Sequence, residues 1–149
     1  PGFSPLIAKN LFINLLIELE KEAFCQNGKS TKTDAGSALV NQVLLILEDE
    51  LSNTNASVKY FADRLNVNAD YLGRCFKEIM HISVGRYIAR RRIELACTRL
   101  RETSDNIEEI YKQCGFGSRR QFYDEFKQHT NKTPASYRAE SAYIGINSL

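Results

Sequence analysis

Arg119 and Arg120 stand side by side after Ser118 in the stretch "CGFGSRRQFYDEFKQHT" (residues 114–130), and Tyr123 and Asp124 each follow one of them by four positions. Phe122 and Phe126 share a helical face of the same stretch. A helix that buries those two rings turns Arg119, Arg120, Tyr123 and Asp124 outward or to its flank. A guanidinium carries paired N–H donors that fit the O6 and N7 acceptors of guanine, and a carboxylate can accept from cytosine N4. Ser118 caps such a helix and, with the free N–H groups of the first turn, can hold a phosphate. The competing reading is a solvated face on which Arg120 and Asp124 form an i,i+4 ion pair and meet only water.

A related pattern lies upstream. Val58, Phe61, Leu65, Asn66 and Val67 recur as Ile107, Ile110, Cys114, Gly115 and Phe116 at an offset of 49. Leu72, Phe76, Lys77, Ser83 and Tyr87 recur as Phe122, Phe126, Lys127, Thr133 and Tyr137 at an offset of 50, so the second turn holds one more residue. Two copies of a helix–short turn–helix unit, each followed by a Ser- or Thr-capped helix start, account for this. Pro134 suits a first helical position and Gly115 suits a turn that needs positive φ. In the first copy Tyr71, Leu72, Cys75, Phe76 and Ile79 are expected to point largely inward, leaving Asp70, Gly73, Arg74 and Lys77 on the outer face. Arg74 and Asp70 are its base-reading candidates, and Gly73 has no side chain to read with. Asn68 and Ser118 are candidates for phosphate contact. Lys77 and Lys127 meet either phosphate or water.

What positions the two outer faces is the segment between them. Residues 84–103 ("VGRYIARRRIELACTRLRET") form one unbroken helical pattern, with Ile88, Ile93, Ala96, Cys97 and Leu100 inward. Arg86, Arg90, Arg91, Arg99 and Arg101 are mostly free to face out. Such a helix is roughly 30 Å long, close to the ~34 Å between successive major-groove segments on one side of B-DNA.

The chain has 149 residues, 43% hydrophobic and 26% charged, and its net charge of +2 hides a gradient. Residues 1–56 are net −3 and residues 57–138 net +6, so a polyanion is a plausible partner for the second part. No apolar run approaches the 18 or so residues of a membrane helix. Cys25, Cys75, Cys97 and Cys114 are widely spaced and read as small buried residues of a reducing cytoplasm. His81 and His129 lie near no cysteine at ligand spacing, so no metal site and no cofactor are expected. Nor is there a His/carboxylate constellation, a phosphate-binding glycine loop or a nucleophile motif, which argues against an enzyme. A helical adaptor that recruits acidic proteins through its basic face is the main rival to DNA binding. Residues 5–26 carry an apolar helical stripe and 27–37 ("NGKSTKTDAGS") read as a polar loop before a second amphipathic helix over 37–52. Helix 5–26 either packs on helix 37–52 or mediates dimerisation.

Residues 39–138 resemble the C-terminal DNA-binding domain of AraC/XylS-family transcription regulators. The resemblance is carried by "YFADRLNVNADYLGRCFKE", "YIARRRIELACTRL" and above all "IEEIYKQCGFGSRRQFYDEFKQHTNKTPASYR", with Arg92 and Ala96 at the family's R-x-x-x-A spacing. It implies an all-α fold of seven helices in two helix-turn-helix subdomains joined by a long helix. Both recognition helices, about 68–79 and 118–129, would then enter major-groove segments on one DNA face. The family's base-contacting positions fall on Asp70, Gly73 and Arg74, and on Arg119, Arg120, Tyr123 and Asp124, in agreement with the outward faces above. Three departures stand out. Tyr111 replaces a small Ala at a close helix crossing, so the second brace is expected to open or its ring to rotate outward. His81 and Asn131 replace Gly and are expected in left-handed turns. Arg92 is read as an internal ion-pair or carbonyl partner, with DNA contact as the alternative. The expected organisation is an N-terminal helix and loop over 1–36, resembling the tail of an upstream domain; the double helix-turn-helix over 37–138; and a polar tail over 139–149. The expected function is that of a bacterial, cytoplasmic transcription activator or repressor. Its expected partners are double-stranded DNA, RNA polymerase, and a second copy joined through residues 5–26 or through an upstream domain.

Overall fold

A computed structural model describes residues 31–146, and all regular structure among them is helical. The elements are α1 (Thr31–Asp49), α2 (Val58–Leu65), α3 (Ala69–Met80), α4 (Val84–Glu102), α5 (Ile107–Gln113), α6 (Arg119–Thr130) and α7 (Pro134–Ile146). Their starts are written in the sequence. Ser57, Asn68, Ser83, Asn106 and Ser118 sit in extended backbone, and each accepts a hydrogen bond from the N–H three residues on. Each such cap stabilises its helix by about 1 kcal/mol. The expected helix 5–26, Cys25 and residues 27–30 of the expected loop lie outside the described residues.

Two hydrophobic cores share one helix. In the first, Leu39, Val40, Val43 and Leu47 of α1, with Leu51 just beyond it, enclose Phe61 and Ala62 of α2. Leu72 and Phe76 of α3 and Val84, Tyr87 and Ile88 of α4 complete it. In the second, Ile93, Ala96 and Leu100 of α4 meet Ile110 and Tyr111 of α5, Cys114 and Phe116 of the turn, and Phe122 and Phe126 of α6. Burial of each large apolar side chain contributes about 1.5–3 kcal/mol. The N-terminal half of α4 therefore closes one helix-turn-helix unit and its C-terminal half opens the next.

Arg91 and Arg92 lie between the cores and are both buried. Arg91 was expected to face out. Instead its Nε and Nη2 donate to the two carboxylate oxygens of Glu48 at 2.9 and 2.8 Å, and Nη1 pairs with Glu94. These hydrogen bonds to Glu48 push its pKa well above the ordinary arginine value. Charge pairing across the α1–α4 contact decides its direction, because a guanidinium left buried without partners would be very costly.

Three boundaries differ from expectation. α1 begins at Thr31, within the segment read as a loop, and the buried Gly36 lies in it with room for a Cβ 3.5 Å from Cys75 Sγ of α3. It ends at Asp49 rather than 52. The segment read as a polar tail continues α7 through Ile146, supported by a Lys132–Glu140 ion pair and by Ser141 Oγ donating to the Tyr137 carbonyl at 2.9 Å.

Candidate nucleic-acid interface

In the first unit, α2 ends at Asn66, whose φ of 54° and ψ of 45° turn the chain left-handed. Asn68 then caps α3 by accepting from Tyr71 N at 3.0 Å. Leu72 and Phe76 are wholly buried and fix which face of α3 remains outside. Asp70, Arg74 and Lys77 are exposed, as their spacing predicts. Gly73 is not on that outer face. It is partly buried beside α2, with a built Cβ 3.7 Å from Val58 Cγ2. Tyr71 and Ile79, expected inward, are 40% and 37% exposed. The buried stripe runs narrowly through Leu72 and Phe76, and at about 100° per residue their neighbours fall on its flanks. His81 ends α3 with φ 56°, the turn role expected of it.

The second unit repeats the plan with a stronger charge display. Gly115 has φ 84° and makes the left-handed turn that any side chain there would strain. Ser118 accepts from Gln121 N at 3.2 Å and starts α6. Phe122 and Phe126 are fully buried, so Arg120 and Asp124 stand clear of the surface, their side chains 94% and 75% exposed. They approach each other to 3.8 Å, the expected i,i+4 pair, at a separation that leaves both available to a partner. The Arg119 guanidinium lies over the Tyr123 ring, 5.1 Å from its centroid, and Nη2 donates to the hydroxyl at 3.4 Å. That hydrogen bond raises the Arg119 pKa above its ordinary value. Lys127 is exposed.

The caps leave chemistry to spare. Asn68 and Ser118 accept from their helices with oxygen, and the Asn68 amide N–H groups and the Ser118 hydroxyl hydrogen are donors that these caps do not use. α3 and α6 thus each present a helix start with donors, then charged side chains along one exposed face.

Of the two outcomes expected at Tyr111, the outward ring is not found. Its ring is buried and stacked on Phe122, centroids 5.9 Å apart and planes 28° from parallel, instead of turning outward. The second brace accommodates the ring inside an aromatic core. Arg92 is the internal carbonyl partner: Nε donates to Leu51 O at 2.9 Å and Nη2 to Asn53 O at 2.6 Å. Arg138 plays a similar part in the second unit, with Nη2 on Asp105 O at 2.6 Å and Nε on Leu100 O at 3.4 Å. Sequence reasoning missed Arg86, whose Nη1 donates to Gln128 Oε1 at the end of α6 across 3.1 Å. No local signal marks a bond spanning 42 positions. Among the described residues no group of three His, Cys, Asp or Glu could hold a metal ion, and no helix is long and apolar enough to cross a membrane.

A family described as "Helix-turn-helix domain" matches residues 61–140, from the α2 core aromatic into α7. The chain belongs to the AraC/XylS family of transcription regulators. The transcriptional regulatory protein YesN of Bacillus subtilis is 35% identical over 106 residues, covering 69% of this chain and 29% of YesN. The chain therefore spans less than a third of that relative. The regulatory protein SoxS of Escherichia coli K12 is 31% identical over 97 residues, 65% of this chain and 91% of SoxS. In the crystal structure of a transcriptional regulator with an AraC-type DNA-binding domain from Chromobacterium violaceum, the fold is shared with a TM-score of 0.64. That chain is 26% identical, and the match covers 73% of this chain and 96% of it. As in that family, the two helix-turn-helix units form a DNA-binding domain, and the chain is a DNA-binding transcription regulator.

Proposed function

We propose that α3 and α6 enter two successive major-groove segments on the same side of B-DNA. The supporting observation is the repeat in three dimensions: one helix of 19 residues, roughly 28 Å long, is built into both cores, and each unit presents a capped second helix with a charged outer face. Arg119, Arg120, Tyr123 and Asp124 read bases from α6; Asp70 and Arg74 read them from α3. Asn68, Ser118, Lys77 and Lys127 hold phosphates. The protein acts in the cytoplasm by binding DNA and not by catalysis, as an activator or a repressor, with RNA polymerase as a further partner. A second copy joins through residues 5–26 or through a preceding domain.

Selection from a random DNA pool tests this. The expected product is a bipartite site with half-sites about ten base pairs apart, bound with a log–log salt slope equal to several phosphate contacts. Recovery of no sequence, with a slope near zero, would remove DNA reading and leave the basic face to an acidic protein.

A further inference from the structure

The two units also touch each other directly, beside the middle of the helix they share. Gly115, in the turn of the second unit, lies so close to the loop after α1 that a Cβ built on it would sit 2.2 Å from Leu51 O and 3.1 Å from the Ser52 carbonyl carbon. Those are backbone atoms and cannot swing aside. The same Cβ would be 3.0 Å from Arg92 Nε. Arg92 closes the contact from the other side, donating to Leu51 O and Asn53 O, while its guanidinium lies 5.9 Å from the Phe116 ring centroid. Leu51 and Asn53 follow the C-terminal end of α1, where carbonyls are unsatisfied and the helix dipole is negative, so a buried guanidinium is well placed there. Arg92 is thereby partnered by carbonyls of the first unit and by a ring of the second.

We propose that Arg92 and Gly115 form a latch between the units, and that the latch, together with α4, sets the separation and phase of the two recognition helices. A lone helix bends, and two units hung on it at different points can swing. A second point of attachment removes that freedom before DNA arrives, which lowers the ordering cost of two-site binding. Arg92 and Gly115 are positioning residues in this account: neither needs to touch DNA. The inference rests on the reading of α3 and α6 as a pair of DNA readers.

The test uses the full chain and three proteins: wild type, Arg92→Lys and Gly115→Ala. Each is put through selection from a random DNA pool. Its affinity is then measured for the bipartite site, for the isolated α6 half-site, and for bipartite sites with one or two base pairs added or removed. For wild type the latch predicts a single selected spacing and a roughly tenfold or greater loss when the spacing is changed. Lysine has one point of donation and cannot span both carbonyls. Arg92→Lys is therefore expected to keep half-site affinity, to select the same half-sites at mixed spacings, and to lose about tenfold in the ratio of bipartite to half-site affinity. Gly115→Ala, whose Cβ also strains the turn before α6, is expected to lose about tenfold in the same ratio whatever its half-site affinity. A wild-type affinity indifferent to spacing overturns the latch, and so do variants that retain one spacing at the wild-type ratio. Variants that lose half-site and bipartite binding in proportion make the two residues supports of the fold only, which also overturns it. Failure of wild type to select any bipartite site is a different result: it sinks the two-reader function itself.

Discussion

The two helix-turn-helix units have the same plan and different fillings. The first is packed mostly with aliphatic side chains from α1, Leu39, Val40, Val43 and Leu47, closed by Leu51. The second receives only Ile93, Ala96 and Leu100 from the half of α4 left to it, and makes up the volume with rings. Phe122 is the centre of that set, with centroids of Phe116, Phe126, Tyr123 and Tyr111 5.2, 5.5, 5.8 and 5.9 Å away. A helix divided between two cores gives each a short apolar face, and large side chains compensate for the shortage. The comparison is sharpened most by truncating the matched positions. Phe122→Ala is expected to cost about 4 kcal/mol and Leu72→Ala about 3 kcal/mol in urea unfolding. Equal costs, or the reverse order, would show that the rings carry no special share of the second core.

The outer faces differ in the opposite sense to the burial. α3 shows Asp70, Arg74 and Lys77 with a glycine among them that turns toward Val58, whereas α6 shows two arginines, an acid and a half-buried tyrosine. On the function proposed above, the second unit is the richer reader. Arg120→Ala is expected to weaken binding to the selected site roughly tenfold or more and to relax the preference at one base pair. Arg74→Ala should do the same within the other half-site. Lys77→Ala should weaken all sequences alike and reduce the salt slope by about one. If Arg120→Ala left the preference intact, the 94% exposed guanidinium would be a solvated partner of Asp124 and nothing more.

Much of this was legible beforehand because it is local. Helical periodicity and the repeat placed α3, α4 and α6 to within a residue or two. Cap chemistry placed the starts of α4, α6 and α7, and Gly115, His81 and Asn131 do adopt positive φ. What was illegible depends on neighbours distant in sequence. Arg91 turns inward only because Glu48 arrives from α1, 43 positions away. Tyr111 could stack inward because Phe122 presents a ring face, which no periodicity reveals. The exposure of Asp70, Arg74, Arg119, Arg120 and Asp124 was legible because it follows from a buried stripe. The latch was not, because Leu51 O and Gly115 meet through tertiary packing alone.

A chemical difference follows from the same alignment of units. Leu65 of the first corresponds to Cys114 of the second, and Cys114 is completely buried. Burial pushes its thiol up to about 11, against smaller opposing effects of Arg99 and Arg92. The folded value lies above that of an exposed thiol, so the stability it contributes is complete below about pH 9 and is lost as pH rises from there through about 11. The loss amounts to roughly 2 kcal/mol. Cys97, raised by burial as well, acts in the same direction. Unfolding measured between pH 8 and 11 should show declining stability, and Cys114→Ala should flatten part of that decline. A slope unchanged in the variant would place the alkaline sensitivity elsewhere.

The smallest expected effect separates the ends of the two readers. α3 closes on His81 and α6 on Asn131, at φ 56° and 58°, so the backbone demand is nearly the same and only the residue differs. Left-handed backbone strains a residue with a Cβ, and asparagine is less penalised because its short amide can satisfy nearby backbone groups. Glycine removes the strain but adds freedom to the unfolded chain, which offsets part of the gain. His81→Gly is therefore expected to stabilise by about 0.5 kcal/mol, a rise of about 1–2 °C in Tm for a chain of this size, with a smaller gain for Asn131→Gly. If Asn131→Gly gave the larger rise, strain at these two turns would not be set by side-chain type. The His81 ring would then be contributing something at the end of α3 beyond closing the helix.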